Sequence, residues 1–277
     1  MTPARPDLAA EALRGQVEAS RFVSGSADCI SAPFAALRPE PDEAACPDTE
    51  LLHGQTVTVF ERSGGWAWLQ ADADGYVGYV PEGALLAAAG EAPTHRVATL
   101  GSNLYGDATL KIPTLGALPF GAEVTVQEER NGYARIGRDR WLPAPHLQRL
   151  DAPATHWIDV AEGFLGVPYL WGGRTNWGLD CSALVQLARQ AAGHACPRDS
   201  DMQFSGEGET LPEDAAPERG DLVFWKGHVG IMLDALTLLH ANGHHMAVVR
   251  EPLAVAAARI AEAEGSSITR RARFRDR

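Results

Sequence analysis

Long apolar runs are missing from this chain of 277 residues: nothing in it matches the roughly 20 apolar residues that a bilayer-spanning helix needs. Positive charge is also in short supply. The 24 Lys and Arg against 36 Asp and Glu leave a formal net charge of −12, which repels phosphate backbones and anionic lipid, so neither nucleic acid nor a membrane is an expected partner. The first twenty residues, MTPARPDLAAEALRGQVEAS, hold no apolar core and no small-residue cleavage site of the secretory kind. The expected location is therefore cytoplasmic, or periplasmic or secreted if a signal precedes residue 1. Cysteine is scarce. Cys29, Cys46, Cys181 and Cys196 form no C-x-x-C pair and no dense framework, so free thiols are expected rather than a disulfide scaffold or zinc ribbon, and a Cys29–Cys46 bridge has no signature of its own. What is present is ordinary globular material, 45% hydrophobic and 22% charged, with length for two or three domains.

Two segments repeat one pattern. In 51–85 a Gly turn precedes a β-branched strand, a second turn, an aromatic strand and the exit Gly75-Tyr76-Val77. In 118–147 the order recurs with Gly121, Val124 to Val126, the turn at Asn131-Gly132, Tyr133 and the exit Trp141-Leu142-Pro143. Two small β-barrels are expected, and the tandem pattern resembles the bacterial SH3 (SH3b) module. After Leu150 the texture changes. THWIDVAEGFLG places Trp157, Val160, Ala161, Phe164 and Leu165 at helical spacing. DCSALVQLARQAAG has Asp180 at a capping position, an apolar stripe through Ala183, Leu184, Leu187, Ala188 and Ala191, and Gly193 as a stop. The short runs DLVFW, HVGIML, LTLLH and MAVVR, split by turn residues, imply an antiparallel sheet packed on those helices. PLAVAAARIAEAEG reads as a further helix, and SSITRRARF as an edge strand.

The chemistry is concentrated at Cys181. A thiol at a helix N-terminus feels the partial positive charge of unpaired backbone N–H groups, which favours the nucleophilic thiolate. A lone cysteine in an apolar helix is most often a small buried hydrophobe, so a base must be found before a role is assigned. His228, opening one strand, and His240, ending the next, are candidates for a base and for the group that orients it, because antiparallel neighbours can bring their rings together. Cys196, followed by Pro197 and without a capped helix, keeps the structural reading. His240, His244 and His245 would suit a metal if helical, but Asn242-Gly243 breaks any helix there, so no metal is expected.

The segments PYLWGGRTNWGLDCSALVQ (168–186), RGDLVFW (219–225), GHVGIML (227–233) and LLHA (238–241) resemble, in that order, the motifs of the NlpC/P60 cysteine peptidases. The resemblance covers about residues 155–250 strongly and the SH3b segments in outline. It implies an α+β, papain-like catalytic domain preceded by two SH3b barrels: an N-terminal extension 1–26, SH3b domains 27–90 and 91–150, and a catalytic domain 151–277. Cys181 matches the family nucleophile, His228 its base, His240 its third polar residue, and Tyr169 a tyrosine that helps form the oxyanion hole.

The resemblance also implies a substrate, the γ-D-glutamyl to diamino-acid bond of peptidoglycan stem peptides. Tandem SH3b domains without an export signal are similar to the YkfC-like recycling branch, which acts on muropeptides with a free N-terminal L-Ala, such as L-Ala-γ-D-Glu-diaminopimelate. Such selectivity needs an anionic end of the groove, because an acylated amine cannot replace an ammonium there. By alignment the candidates are Asp48 with Tyr76, with Glu50 an open alternative to Asp48, and Asp199 with Ser200. Asp180 and Ser182 flank the nucleophile and are candidates for the same groove. Arg198 could fork onto a substrate carboxylate or onto a neighbouring Asp. Most acidic residues merely face solvent, and for Asp48 that bland reading weighs evenly against the functional one. The implied reaction proceeds through a thioacyl enzyme, needs no cofactor and fits a monomer. Rival readings are an exported wall endopeptidase indifferent to free L-Ala, a non-catalytic SH3b peptidoglycan-binding protein, and a metal-dependent hydrolase.

Overall fold

The computed structural model describes residues 1–87, 92–206 and 208–274. The chain divides into two compact units, Met1–Ala152 and Pro153–Arg277. The expected boundary between residues 90 and 91 and the last three residues of the expected catalytic domain lie outside the described residues.

The first unit begins with a packed segment. Ala9–Ala10 pairs in parallel with Phe22–Val23, Leu8 is fully buried, and the Arg5 guanidinium sits 4.5 Å from the Trp68 ring centroid while bonding Glu61. An antiparallel five-stranded sheet follows, in the order Val77–Pro81, Trp66–Ala71, Thr56–Ser63, Ser26–Ile30 and Leu85–Ala87. Phe34–Leu37 pairs with Thr49–Leu52 in a separate two-stranded sheet. Ile30, Leu37, Leu51, Val57, Leu69 and Val80 fill one core, as alternation along these strands demands. The tight connection at Gly64-Gly65 has positive φ at both residues, the geometry a two-residue hairpin requires.

A second β module has its own core of Val97, Leu104, Leu118, Ala122, Val124 and Leu142. Asn131 and Gly132, both at positive φ, make the hairpin between Glu128–Arg130 and Tyr133–Gly137. This module is not a plain copy of the first. Its strands fall into a five-stranded sheet and a separate three-stranded sheet of Glu123–Val124, His95–Val97 and Leu147–Arg149. One SH3-like domain is therefore clear, and the expectation of two matching barrels is met only in part. The modules touch where Glu123 donates its backbone N–H to the His53 carbonyl at 2.8 Å. A Cβ on Gly54 would fall 2.1 Å from the Glu123 oxygen, so this contact needs glycine.

In the second unit the helices are α1 (Trp157–Glu162), α2 (Cys181–Ala191), α3 (Ser200–Gly206) and α4 (Leu253–Glu264). Its strands are β1 (Arg174–Thr175), β2 (Gly178–Leu179), β3 (Glu209–Thr210), β4 (Leu222–Trp225), β5 (His228–Met232), β6 (Thr237–Asn242), β7 (Ala247–Pro252) and β8 (Arg270–Arg273). β1 and β2 form a small hairpin, and the other six make an antiparallel sheet in the order β3-β8-β4-β5-β6-β7. The C-terminal strand β8 is not the edge the sequence suggested, because two-residue β3 pairs outside it. α4 covers one face of the sheet, where Val223, Trp225, Met232 and Leu238 pack with Ala256 and Ile260. α2 packs against β5 and β6 and is buried along almost its whole length. Each of Leu184, Val185 and Leu187 in it contributes roughly 1.5–3 kcal/mol by leaving water. That burial holds the first residue of α2 in place.

Candidate active site

Asp180 starts α2 as its N-cap. Its Oδ1 accepts the Ala183 backbone N–H at 2.9 Å, and its Oδ2 accepts the Gly172 N–H at 3.0 Å, tying the Gly-Gly turn to the helix start. Arg198, 1% exposed, donates to both oxygens of Asp180 at 2.9 and 2.6 Å and to the Ser182 hydroxyl at 2.9 Å. Of the two partners the sequence left open for Arg198, the structure provides the neighbouring aspartate. Burial pulls the Arg198 pKa down, but the Asp180 carboxylate outweighs it and the net direction is up. Ser182 in turn donates to Asp180 at 3.1 Å. Asp180, Ser182 and Arg198 thus form a closed, buried network beneath the start of α2 rather than an open groove wall.

Cys181, the first residue of α2, is 7% exposed. The ladder between β5 and β6 pairs only Ile231 with Leu239 and Met232 with Leu238; nearer His228 the backbone N–H of Val229 is directed to the Cys181 sulfur. The nucleophile candidate therefore lies against the start of the strand that carries His228. The thiol itself departs from expectation. Burial, then the Asp180 charge, push its pKa up to about 12, against the weaker opposing pull of the Val229 N–H, Arg198 and the Ser182 N–H. The helix-terminal field that favours thiolate is outweighed because the thiol is buried.

His228 is pushed down to about 3 by burial, with the His240 and Arg259 charges adding to it. Its Nε2 lies 2.8 Å from Nδ1 of His240. Burial thus shifts both Cys181 and His228 toward their neutral forms. His240 is fully buried, and β6 runs two residues past it to Asn242, so it lies within the strand rather than at its end. A Cβ on Gly230 would stand 3.3 Å from the His240 Cβ and 2.7 Å from Leu238 Cδ1, so Gly230 leaves the space in which His240 sits.

Behind His240 stand two residues the sequence reading did not single out. Its Nε2 is 2.7 Å from Glu251 Oε1, and Arg259 of α4 bonds the same oxygen. His240 pairs with Val249 and Leu238 with Glu251, so His240 and Glu251 are diagonal neighbours on one sheet face. The only sequence signal was a charged residue at an inward position of β7. The Asn242 amide nitrogen lies 3.0 Å from His240 Nε2, while its Oδ1 accepts the His245 backbone N–H at 2.9 Å. Trp225 flanks the pair, its ring centroid 5.6 Å from that of His228.

Tyr169 is half-buried, and its pKa is raised by burial and then by the nearby Cys181 and Asp180 charges, so it stays a neutral phenol with a proton to donate. Asp199 and Ser200, both half-buried, stand at the start of α3, and Asp199 adds to the field on Arg198. In the first unit Glu50 lies buried in the strand Thr49–Leu52, Asp48 just before it is half-buried, and Tyr76 belongs to the first barrel's apolar core. None of the four cysteines is in a disulfide, and among the described residues no group of three or more His, Cys, Asp or Glu is placed to hold a metal ion.

Residues 166–259 match the model of the NlpC/P60 family, and residues 37–85 that of the bacterial dipeptidyl-peptidase Sh3 domain. The chain is 28% identical to a γ-D-glutamyl-L-lysine dipeptidyl-peptidase of Bacillus subtilis, over 70% of this chain and 71% of that protein. It is 26% identical to the protein of the same name from Bacillus cereus, over 74% and 70%. Its fold is similar to the crystal structure of an NlpC/P60 family protein from Bacillus cereus, at a TM-score of 0.74 and 21% identity over 90% of this chain and 99% of that one.

Proposed function

The chain belongs to the NlpC/P60 family, and from that premise we propose that it is a cysteine peptidase hydrolysing the γ-D-glutamyl to diamino-acid bond of peptidoglycan stem peptides that carry a free N-terminal L-Ala. The observation that carries this reading is Cys181 at the first position of a buried helix packed against the strands that carry the His228–His240 pair. The γ-D-glutamyl specificity is supported by two relatives of that name, each matching over at least 70% of this chain.

With thiol and imidazole both shifted toward their neutral forms, the proton moves as the substrate binds. Nδ1 of His228, the ring nitrogen not engaged by His240, takes the thiol proton while sulfur attacks the γ-carbonyl carbon. The oxyanion receives hydrogen bonds from the neutral Tyr169 hydroxyl and from the N–H groups at the start of α2, which have no partner within the helix. Collapse of the tetrahedral intermediate breaks the C–N bond, and His228 returns its proton to the leaving amine. A water that His228 activates then cleaves the thioester and restores the thiol.

In this reading Asp199 and Ser200 are the second unit's candidates for selecting the free ammonium, and Asp48, Glu50 and Tyr76 are kept as the first unit's candidates from the resemblance. A demand for free L-Ala restricts the substrate to peptides already stripped from glycan, which suits recycling in the cytoplasm by a monomer. The second β module is then a further SH3b domain. The test is to incubate the full chain with L-Ala-γ-D-Glu-meso-diaminopimelate, its L-lysine analogue and their N-acetylated forms, and to follow products by mass spectrometry with Cys181→Ala as control. Release of L-Ala-γ-D-Glu from the free peptides alone, lost in the variant, supports the proposal. Equal cleavage of acetylated peptides overturns the amine selectivity, and no cleavage of any overturns the enzymatic reading.

A further inference from the structure

We propose that Glu251, anchored by Arg259, is a positioning residue that sets the tautomers of both His240 and His228, and so leaves Nδ1 of His228 bare to take the thiol proton. The inference rests on the cysteine-peptidase reading above, and starts from counting protons along one chain of contacts. Glu251 Oε1 stands 2.7 Å from His240 Nε2, and His240 Nδ1 stands 2.8 Å from His228 Nε2. An ionised carboxylate only accepts hydrogen bonds, and a neutral imidazole has one donor nitrogen and one acceptor nitrogen. Burial alone would pull the Glu251 carboxyl up, but the bonds from His240 and Arg259 bring it net down, so it is ionised at neutral pH.

The consequence propagates in one direction. His240 Nε2 must carry the proton given to Glu251, which makes His240 Nδ1 an acceptor. His228 Nε2 must then be the donor to it, and His228 Nδ1 is left without a proton. The Asn242 amide nitrogen, 3.0 Å from His240 Nε2, would favour the opposite tautomer, but a charge-assisted bond to a carboxylate is roughly twice as strong as a neutral one. His245 also faces Glu251, its Nδ1 4.0 Å away. Without Glu251 the Asn242 amide is left to donate to His240 Nε2. That moves the His240 proton to Nδ1, and His228 must then accept on Nε2 and carry its own proton on Nδ1, where a base is needed. The anchor comes from elsewhere in the chain: Arg259 sits on α4, which folds back over β7 and bonds the same carboxylate oxygen.

Two imidazole tautomers and one substitution pair decide the matter. In the 15N-histidine-labelled full chain at pH 7.5, two-bond 1H–15N spectra should show both His228 and His240 as Nε2–H tautomers, assigned with His228→Gln and His240→Gln. Glu251→Gln keeps an amide oxygen that can accept from both His240 and Arg259, so it should retain those tautomers and stay within about tenfold of the parent kcat. Glu251→Leu has no acceptor, and should show mixed or Nδ1–H tautomers with kcat lowered about 10²- to 10⁴-fold and KM changed less than about threefold, the split expected when chemistry rather than binding is lost. An Nδ1–H tautomer on His240 in the parent protein overturns the proposal whatever the variants do, including a Glu251→Leu that does not fold. Equal loss in Glu251→Gln and Glu251→Leu also overturns it, since charge and not the lone pair would then matter. If Cys181→Ala retains activity, the peptidase reading fails instead, and the spectra of the parent still judge the tautomers on their own.

Discussion

Removing the Asp180 carboxylate should loosen the start of α2 far more than the loss of an ordinary helix cap. Two contributions can be added from the structure. The cap bond to the Ala183 N–H contributes about 1 kcal/mol. Arg198, 1% exposed and fastened to Asp180 by two bonds, would lose that carboxylate, and breaking a buried pair costs about 3–5 kcal/mol. Asp180→Ala should therefore lower the local opening free energy of α2 by about 4–6 kcal/mol, a large part of a typical domain's stability. Hydrogen exchange followed by mass spectrometry on peptides covering 181–191 reads this directly, because each 1.4 kcal/mol is a tenfold change in the exchange rate. The expected acceleration is about 10³- to 10⁴-fold. Adding Arg198→Met to Asp180→Ala should recover most of the loss, since the second change removes the other half of the broken pair. An acceleration under tenfold in Asp180→Ala would falsify the account, because it would mean that Arg198 reaches water and is available to a substrate carboxylate after all.

Three further outcomes follow from the same site. With a thiol pKa near 12, Cys181 should be alkylated by iodoacetamide at pH 7 on the order of 10³-fold more slowly than a free thiol, with exposed Cys46 as internal reference, and its rate should rise about tenfold per pH unit up to pH 10. Fast labelling that is flat above about pH 5, read by peptide mapping, would instead mean a thiolate–imidazolium pair at rest. The His228 shift gives the accompanying sign: its folded pKa is lowered, so below about pH 6.5 the unfolded chain binds the extra proton, and stability is lost as pH falls toward 3. Gly230→Ala should press a methyl against Leu238 Cδ1 and His240 Cβ in a fully buried spot, displacing His240. A kcat loss of about 10- to 100-fold with little change in KM is expected, and an unchanged kcat would show that His240 does not depend on that space.

Much of the catalytic unit was written in short-range patterns. Asp180 as N-cap, Cys181 at the first helical position, the apolar stripe to Ala191 and the Gly193 stop all follow from capping and a 3.6-residue period, which neighbouring residues set among themselves. The turns at Gly64-Gly65 and Asn131-Gly132 are of the same kind, since positive φ is a local demand. The four motifs around Cys181, His228 and His240 could be put in order without coordinates for the same reason.

What only the tertiary structure decided are properties that depend on register and on exclusion of water. The diagonal between His240 and Glu251 exists because β6 and β7 pair His240 with Val249, and a slip of one residue would turn Glu251 to the other face. Arg259 reaches that carboxylate only because α4 folds back over the sheet. Arg198 could have met a substrate or an aspartate, and the choice of Asp180 came from packing α3 and its leading loop beneath α2. The shift of Cys181 and His228 toward their neutral forms runs against the pull of the helix terminus, because desolvation depends on every atom that surrounds a group and no local pattern records it.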